Sequence, residues 1–179
     1  MSKKVFVITS SLRQGSNSDM LAQAFAEGAR AAGHAVETIS LKGKSITFCK
    51  GCLACQKTRK CTIRDDATEI AEKAKNADVL VFATPIYYYG LSGQLKTLLD
   101  RCNPLYVSDY AFRDVYLLLT AADGDGRAVE GSVKGMQGFV DCFEKARLAG
   151  TIFGGGVNEA GEIKGKPALQ EAYEMGEHV

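Results

Sequence analysis

Val5-Phe6-Val7-Ile8-Thr9-Ser10-Ser11-Leu12-Arg13-Gln14-Gly15-Ser16-Asn17-Ser18 is the stretch that decides the fold. An apolar run ends in a polar loop, and a helical pattern opens at Asp19-Met20-Leu21. The order reads as strand, loop, helix start. Five hydroxyls (Thr9, Ser10, Ser11, Ser16, Ser18), the Asn17 amide and the Arg13 guanidinium crowd into residues 9–18. A helix N-terminus carries unpaired N–H groups and a partial positive charge, so it attracts anions. Hydroxyls and an arginine around it suit a doubly charged phosphate. The plainer alternative is an N-capped turn, since Ser and Asn favour that position anyway.

Outward from this stretch the chain alternates. A helix is expected from Ser18 to about Ala32, then a strand at Ala35 to Ile39. Asp65-Asp66 cap a helix over 67–75, followed by a buried strand over 78–83. The loop Thr84 to Gly90 precedes a helix from Ser92 to Arg101. Val115 to Thr120 is the next strand, and a long helix is expected over 128–146, weakened by Gly131, Gly135 and Gly138. Leu148 to Phe153 is the last strand and Lys166 to Gly176 the last helix. Five strands between helices predict an α/β fold: a five-stranded parallel sheet in a three-layer α/β/α arrangement over 1–179, as one domain. Ligands of such sheets bind beyond the carboxyl ends of the strands, where the strand order reverses. The loops 9–18, 84–90 and 120–126 lie there.

Composition narrows the function. The 179 residues are 46% hydrophobic and 24% charged, with a net charge of +1. Nothing in that balance points to nucleic acid or an anionic membrane surface. The N-terminal apolar run of about four residues is too short for a signal peptide, and no run approaches a membrane span. The expected compartment is the cytoplasm. Only His34 and His178 are present, and neither is placed as a catalytic base. Gly43-Lys44-Ser45 superficially suggests a phosphate loop, but the glycine that motif requires is Thr38. Asp123-Gly124-Asp125-Gly126 lacks the further acidic ligands of a calcium loop and reads as a turn.

Two further signals carry chemistry. Thr84-Pro85-Ile86-Tyr87-Tyr88-Tyr89-Gly90 places three tyrosines in a row at the mouth of the sheet. Aromatic bodies with polar tips suit a flat ring such as a flavin, and they suit a dimer interface equally. Cys49-x2-Cys52-x2-Cys55-x5-Cys61 groups four thiols in a loop over 49–61. Four thiolates at such spacing can hold a 4Fe–4S cluster or zinc, and a metal-free loop is the third reading. Cys102 and Cys142 fall in helical patterns and are expected in packing roles.

Ser10…Arg13-Gln14-Gly15-Ser16-Asn17-Ser18, with Ala83-Thr84-Pro85-Ile86-Tyr87-Tyr88-Tyr89-Gly90-Leu91-Ser92-Gly93-Gln94-Leu95-Lys96…Asp100-Arg101, resembles the flavodoxin-like NAD(P)H-dependent FMN reductases. The resemblance covers most of the chain in the same order, and the second motif is the more specific. It implies a flavodoxin-like fold and bound FMN. Carried over, Ser10, Arg13, Ser16, Asn17 and Ser18 hold the phosphate. Pro85, Ile86, Tyr87 and Tyr88 line the ribityl chain and ring, and Ala121, Asp123 and Gly124 approach the ring. The cysteine spacing is similar to that of the iron–sulfur flavoproteins, a branch with a 4Fe–4S cluster beside FMN; here Cys49, Cys52, Cys55 and Cys61 are the ligands.

The expected activity passes electrons from NAD(P)H through the flavin to a small acceptor such as a quinone. The flavin carries the chemistry, so no side-chain nucleophile is required. The alternative is an iron–sulfur flavoprotein or flavin electron carrier that exchanges electrons with another redox protein. A flavin-free phosphate-binding hydrolase is the third reading. The family also implies a homodimer or homotetramer, for which the tyrosine triplet offers a surface.

Overall fold

The computed structural model describes residues 1–179. Strand β1 (Lys4–Thr9) is buried along nearly its whole length. Helix α1 (Asn17–Ala31) follows, with Ser16 as its N-cap: Oγ accepts the Asp19 N–H at 3.1 Å. Asp19 in its first turn and Arg30 in its last complement the helix dipole. β2 (Ala35–Ser40) is an exposed edge strand. A short helix α2 (Ala54–Thr58) interrupts the cysteine loop, and α3 (Asp66–Asn76) is capped by Asp65. β3 (Val79–Tyr87) runs on into a two-residue antiparallel β4 (Gly90–Leu91). Then come α4 (Gly93–Arg101), α5 (Asn103–Tyr106), β5 (Asp114–Thr120), a 3-10 turn (Gly126–Val129) with α6 (Glu130–Val140), β6 (Arg147–Gly154) and α7 (Pro167–Glu177).

The parallel strands lie in the order β2-β1-β3-β5-β6. Counted without β4 this is the flavodoxin-like order 2-1-3-4-5, with its reversal between β1 and β3. Alternate residues feed two cores. Phe6, Ile8, Leu80, Phe82 and Leu117 face one side, with α3 and α4. Val5, Val7, Val79, Val81 and Leu118 face the other, with α1 and α7. The period of two is that of a strand buried on both faces.

Three sequence expectations change. The strands number six rather than five, because Tyr87 and Gly90 pair across a tight turn. The expected helix over 128–146 stops at Val140. Phe143 folds back to pack edge-on against Tyr110 and Phe112, and the Tyr110 hydroxyl accepts the Lys145 N–H at 3.0 Å. Strand β3 continues through Thr84 and Pro85 to Tyr87, where a loop was expected: Thr84 pairs with Leu119 and Pro85 with Thr120 of β5.

Candidate functional site

A cleft of about 170 Å3 opens at the carboxyl edge of the sheet, beside the reversal point. Of the residues picked from sequence, Arg13, Ser16, Asn17, Ser18, Pro85, Ile86, Tyr87 and Ala121 line it. The first turn of α1 forms one wall. Its leading N–H groups have no partner within the helix, which suits an anion. Ser16 Oγ and Ser18 Oγ lie 3.3 Å apart beside them. Arg13 is exposed at the rim, and Nη1 donates to the Asn158 carbonyl at 2.7 Å. Gly15, at φ 62°, lets the loop turn from Arg13 back to the helix.

Four picked residues stand elsewhere. Ser10 lies beneath the cleft, buried, its Oγ 2.9 Å from Ser92 Oγ. Thr84 Oγ1 lies 3.0 Å from the same Ser92 atom. These three hydroxyls tie β1, β3 and the N-cap of α4 together behind the cleft. Tyr88 sits at the tip of the β3–β4 hairpin, fully exposed. Asp123 and Gly124 brace the rim from outside. Asp123 Oδ2 accepts from the Tyr89 hydroxyl at 3.4 Å, and its carbonyl accepts the Gly156 N–H at 3.3 Å. Asn17 does line the cleft, but its amide is engaged: Nδ2 donates to the Glu159 carbonyl at 2.9 Å, and Oδ1 accepts the Ile163 N–H at 3.2 Å.

Those bonds bring in a wall that sequence reasoning missed. Val157, Asn158 and Ala160, from the exit of β6, line the cleft with Ser11, Thr120 and Ala122. The only local signal was Gly154-Gly155-Gly156, which marks a sharp exit without naming its contacts. The wall fits the expected cofactor. Paired hydroxyls, a helix N-terminus and a rim guanidinium are groups that would suit a phosphate, and Pro85, Ile86 and Tyr87 offer an apolar flank that would suit a ring.

A second groove, about 560 Å3, lies across Tyr87 from the cleft. Leu12, Leu41, Ile46 and Phe48 give it an apolar lining, and Lys44 and Gln94 add polar edges. Phe48 leads directly into the cysteine loop.

All four predicted cysteines line one small cavity together with Arg101 and Asn103. No three His, Cys, Asp or Glu side chains are grouped closely enough to hold a metal ion in this arrangement. The donor set still fits a thiolate-bound centre in kind and number, and each sulfur has a polar neighbour. Cys52 sits below the usual thiol range because the Ala54 N–H and the Thr62 hydroxyl favour its thiolate. Arg101 and Asp65 form a buried ion pair at 2.7 Å under the loop. Burial alone would raise Asp65, but the bonds from Arg101 and from the Thr47 and Ala67 N–H groups outweigh it and hold the carboxyl low. Cys102 behaves as a core residue, and burial pushes its thiol up to about 12. No helix is long and apolar enough to cross a membrane.

Comparison with known proteins agrees with this geometry. An iron–sulfur flavoprotein of Methanocaldococcus jannaschii is 38% identical over 104 residues, 58% of this chain. The match spans 54% of that protein, so the chain covers about half of this relative. An iron–sulfur flavoprotein of Methanosarcina thermophila is 29% identical over 96% of this chain and 87% of its own. Among solved structures, an NAD(P)H:quinone oxidoreductase from Methanothermobacter marburgensis superposes with a TM-score of 0.75 at 18% identity, over 99% of this chain and 96% of the other. That likeness fixes the flavodoxin-like fold. The model of the NADPH-dependent FMN reductases matches residues 3–141, and the chain belongs to that family.

Proposed function

We propose that this protein is an FMN-containing oxidoreductase that takes electrons from NAD(P)H and passes them to a small acceptor. The single observation that carries the reading is the cleft at the strand reversal. It joins the α1 N-terminus, Ser16, Ser18 and Arg13 to the flank Pro85-Ile86-Tyr87. FMN, when bound, supplies the hydride and electron chemistry. The chain's own residues do the rest. Ser16, Ser18 and Arg13 grip the phosphate. Pro85 to Tyr87 orient the ring and exclude water from one side. Asn17 keeps the 157–163 wall against the helix rather than contacting the cofactor itself. The apolar groove beyond Tyr87 seats a flat acceptor. Anaerobic mixing with NADPH, and separately NADH, tests this. Loss of the flavin's visible absorption is expected, followed by recovery when a quinone is added. A protein that binds no FMN, or whose FMN keeps its absorption with both nucleotides, refutes it.

A second reading is favoured by the four thiols about one cavity. Cys49, Cys52, Cys55 and Cys61 hold a 4Fe–4S cluster, and the protein exchanges single electrons with another redox protein. Anaerobic reconstitution with iron and sulfide decides it. Iron content near zero, with no absorption beyond that of FMN, excludes the cluster.

The exposed run Tyr87 to Tyr89 supports a homodimer or homotetramer, checked by light scattering. Six cysteines without a disulfide suit the reducing cytoplasm.

A further inference from the structure

The cysteine loop is fastened by residues that its own motif does not contain. Arg101, at the end of α4, has a side chain wholly enclosed by protein. Its Nη1 donates to the Thr47 carbonyl and its Nη2 to the Ile63 carbonyl, at 2.7 and 3.1 Å. Thr47 precedes Cys49 and Ile63 follows Cys61, so one guanidinium joins the two stems of the loop. Both terminal nitrogens also bond Asp65, at 2.7 and 2.9 Å. Nε–H is left buried and unpartnered. Two residues on, Asn103 Nδ2 donates to Cys55 Sγ at 3.3 Å.

Neutral thiols are weak acceptors, and a buried N–H without an acceptor costs free energy. A metal-bound thiolate is a far better acceptor, and such donors commonly orient the ligands of a metal centre. Cys61 and Arg101 line the same cavity.

We propose that Arg101 and Asn103 are positioning residues for a thiolate-bound metal centre: Arg101 clasps the loop stems, and its Nε–H and the Asn103 amide donate to ligand sulfurs. The proposal rests on the four-cysteine reading above and assigns roles to two residues outside that motif.

The test uses the full chain, made metal-free and kept anaerobic, with Co2+ as the probe. Cobalt–thiolate charge-transfer absorption reports the number of sulfurs bound, and competition with a chelator gives the affinity. Asn103→Leu and Asn103→Asp keep roughly the side-chain size and remove the donor. Both are expected to weaken Co2+ by about 10–100-fold. Both should also move the charge-transfer band to longer wavelength, because a sulfur that loses a hydrogen bond gives up its electrons more easily. A purely structural role would not move the band. FMN affinity should stay as in the parent. Parental Co2+ affinity and band position in both variants overturn the inference while leaving the four-thiol centre standing. A parent chain without any cobalt–thiolate band overturns the centre and the inference together. Arg101→Lys keeps a charge but loses the fork. Trypsin should then cut faster at Lys57, Arg59 and Lys60, and a parental cutting rate removes the clasp. Should that variant fail to fold, the Asn103 pair still decides.

Discussion

Gly131 lies against the carbonyl oxygen of Tyr89, so close that a methyl group on its α-carbon would collide with it. This contact seats α6 on the β3–β4 hairpin. The hairpin needs support, because Tyr88 and Tyr89 at its turn both have positive φ, 48° and 59°. Such a turn suits Asn-Gly, and a tyrosine in the left-handed region costs about 1–2 kcal/mol. Tyr87, the last residue of β3, flanks both the cleft and the apolar groove beside it. Gly131→Ala should therefore push the hairpin off α6 and loosen the ring flank. The expected loss is about 1–3 kcal/mol of stability, with weaker FMN binding. Thermal unfolding and a flavin titration check it. Parental values in both would remove the role assigned to this contact.

The glycine shows where sequence reading reaches its limit. Gly131, Gly135 and Gly138 weakened the expected helix because only their backbone cost was visible. The contact that requires Gly131 comes from residue 89, and no local pattern reports it. Strands β1, β3 and β5 were legible because burial on both faces leaves near-continuous apolar runs. The turn at Tyr88-Tyr89 was not, because tyrosine gives no warning of positive φ. In the site, residue types were legible and orientations were not. Ser10 and Asn17 are suitable phosphate donors by type, but no local pattern reports that Ser10 Oγ lies 2.9 Å from Ser92 Oγ or that the Asn17 amide bonds the backbone of Glu159 and Ile163. The Arg13–Asn158 bond joins residues 145 apart in the chain, beyond any motif.

Arg13→Ala should weaken FMN by about 1.5–3 kcal/mol, roughly 10–150-fold, the usual value of a charge-assisted hydrogen bond. The loss should shrink at high salt, since Arg13 is exposed at the rim. Arg13→Lys keeps the charge but not the fork and should fall between. Fluorescence titration of the flavin-free protein measures all three. Equal affinities would move the phosphate away from Arg13.

Cys102 is expected to resist alkylation in the folded protein. Burial pushes its thiol up to about 12, and only 3% of the residue is exposed, so the reactive thiolate is scarce and shielded at neutral pH. Cys142 is exposed and supplies the internal comparison. Mass spectrometry after brief iodoacetamide treatment should find Cys142 modified and Cys102 intact, and both modified once urea is present. Early labelling of Cys102 without denaturant would show that α4 and α5 open far more readily than their packing implies.

The Asp65–Arg101 pair should make stability fall in acid. Asp65 is held below its ordinary 3.8 in the folded chain. A carboxyl depressed on folding contributes in full above its unfolded value, about pH 4, and loses that contribution as pH falls through the lower folded value. Asp65→Asn leaves Arg101 buried without a counter-charge, its side chain wholly enclosed. The cost should be about 3–5 kcal/mol at neutral pH. The α3 cap is kept, because the asparagine Oδ1 accepts the Ala67 N–H as the Asp65 Oδ1 does at 3.2 Å. The pH profile separates this pair from simple loss of packing. Protonated Asp65 resembles asparagine, so the gap between parent and variant should hold steady above about pH 5 and narrow below about pH 4. Urea unfolding of both proteins over that range measures the gap. A difference that stays constant into acid would mean that the side chain's shape, and not its charge beside Arg101, holds the stems of the cysteine loop.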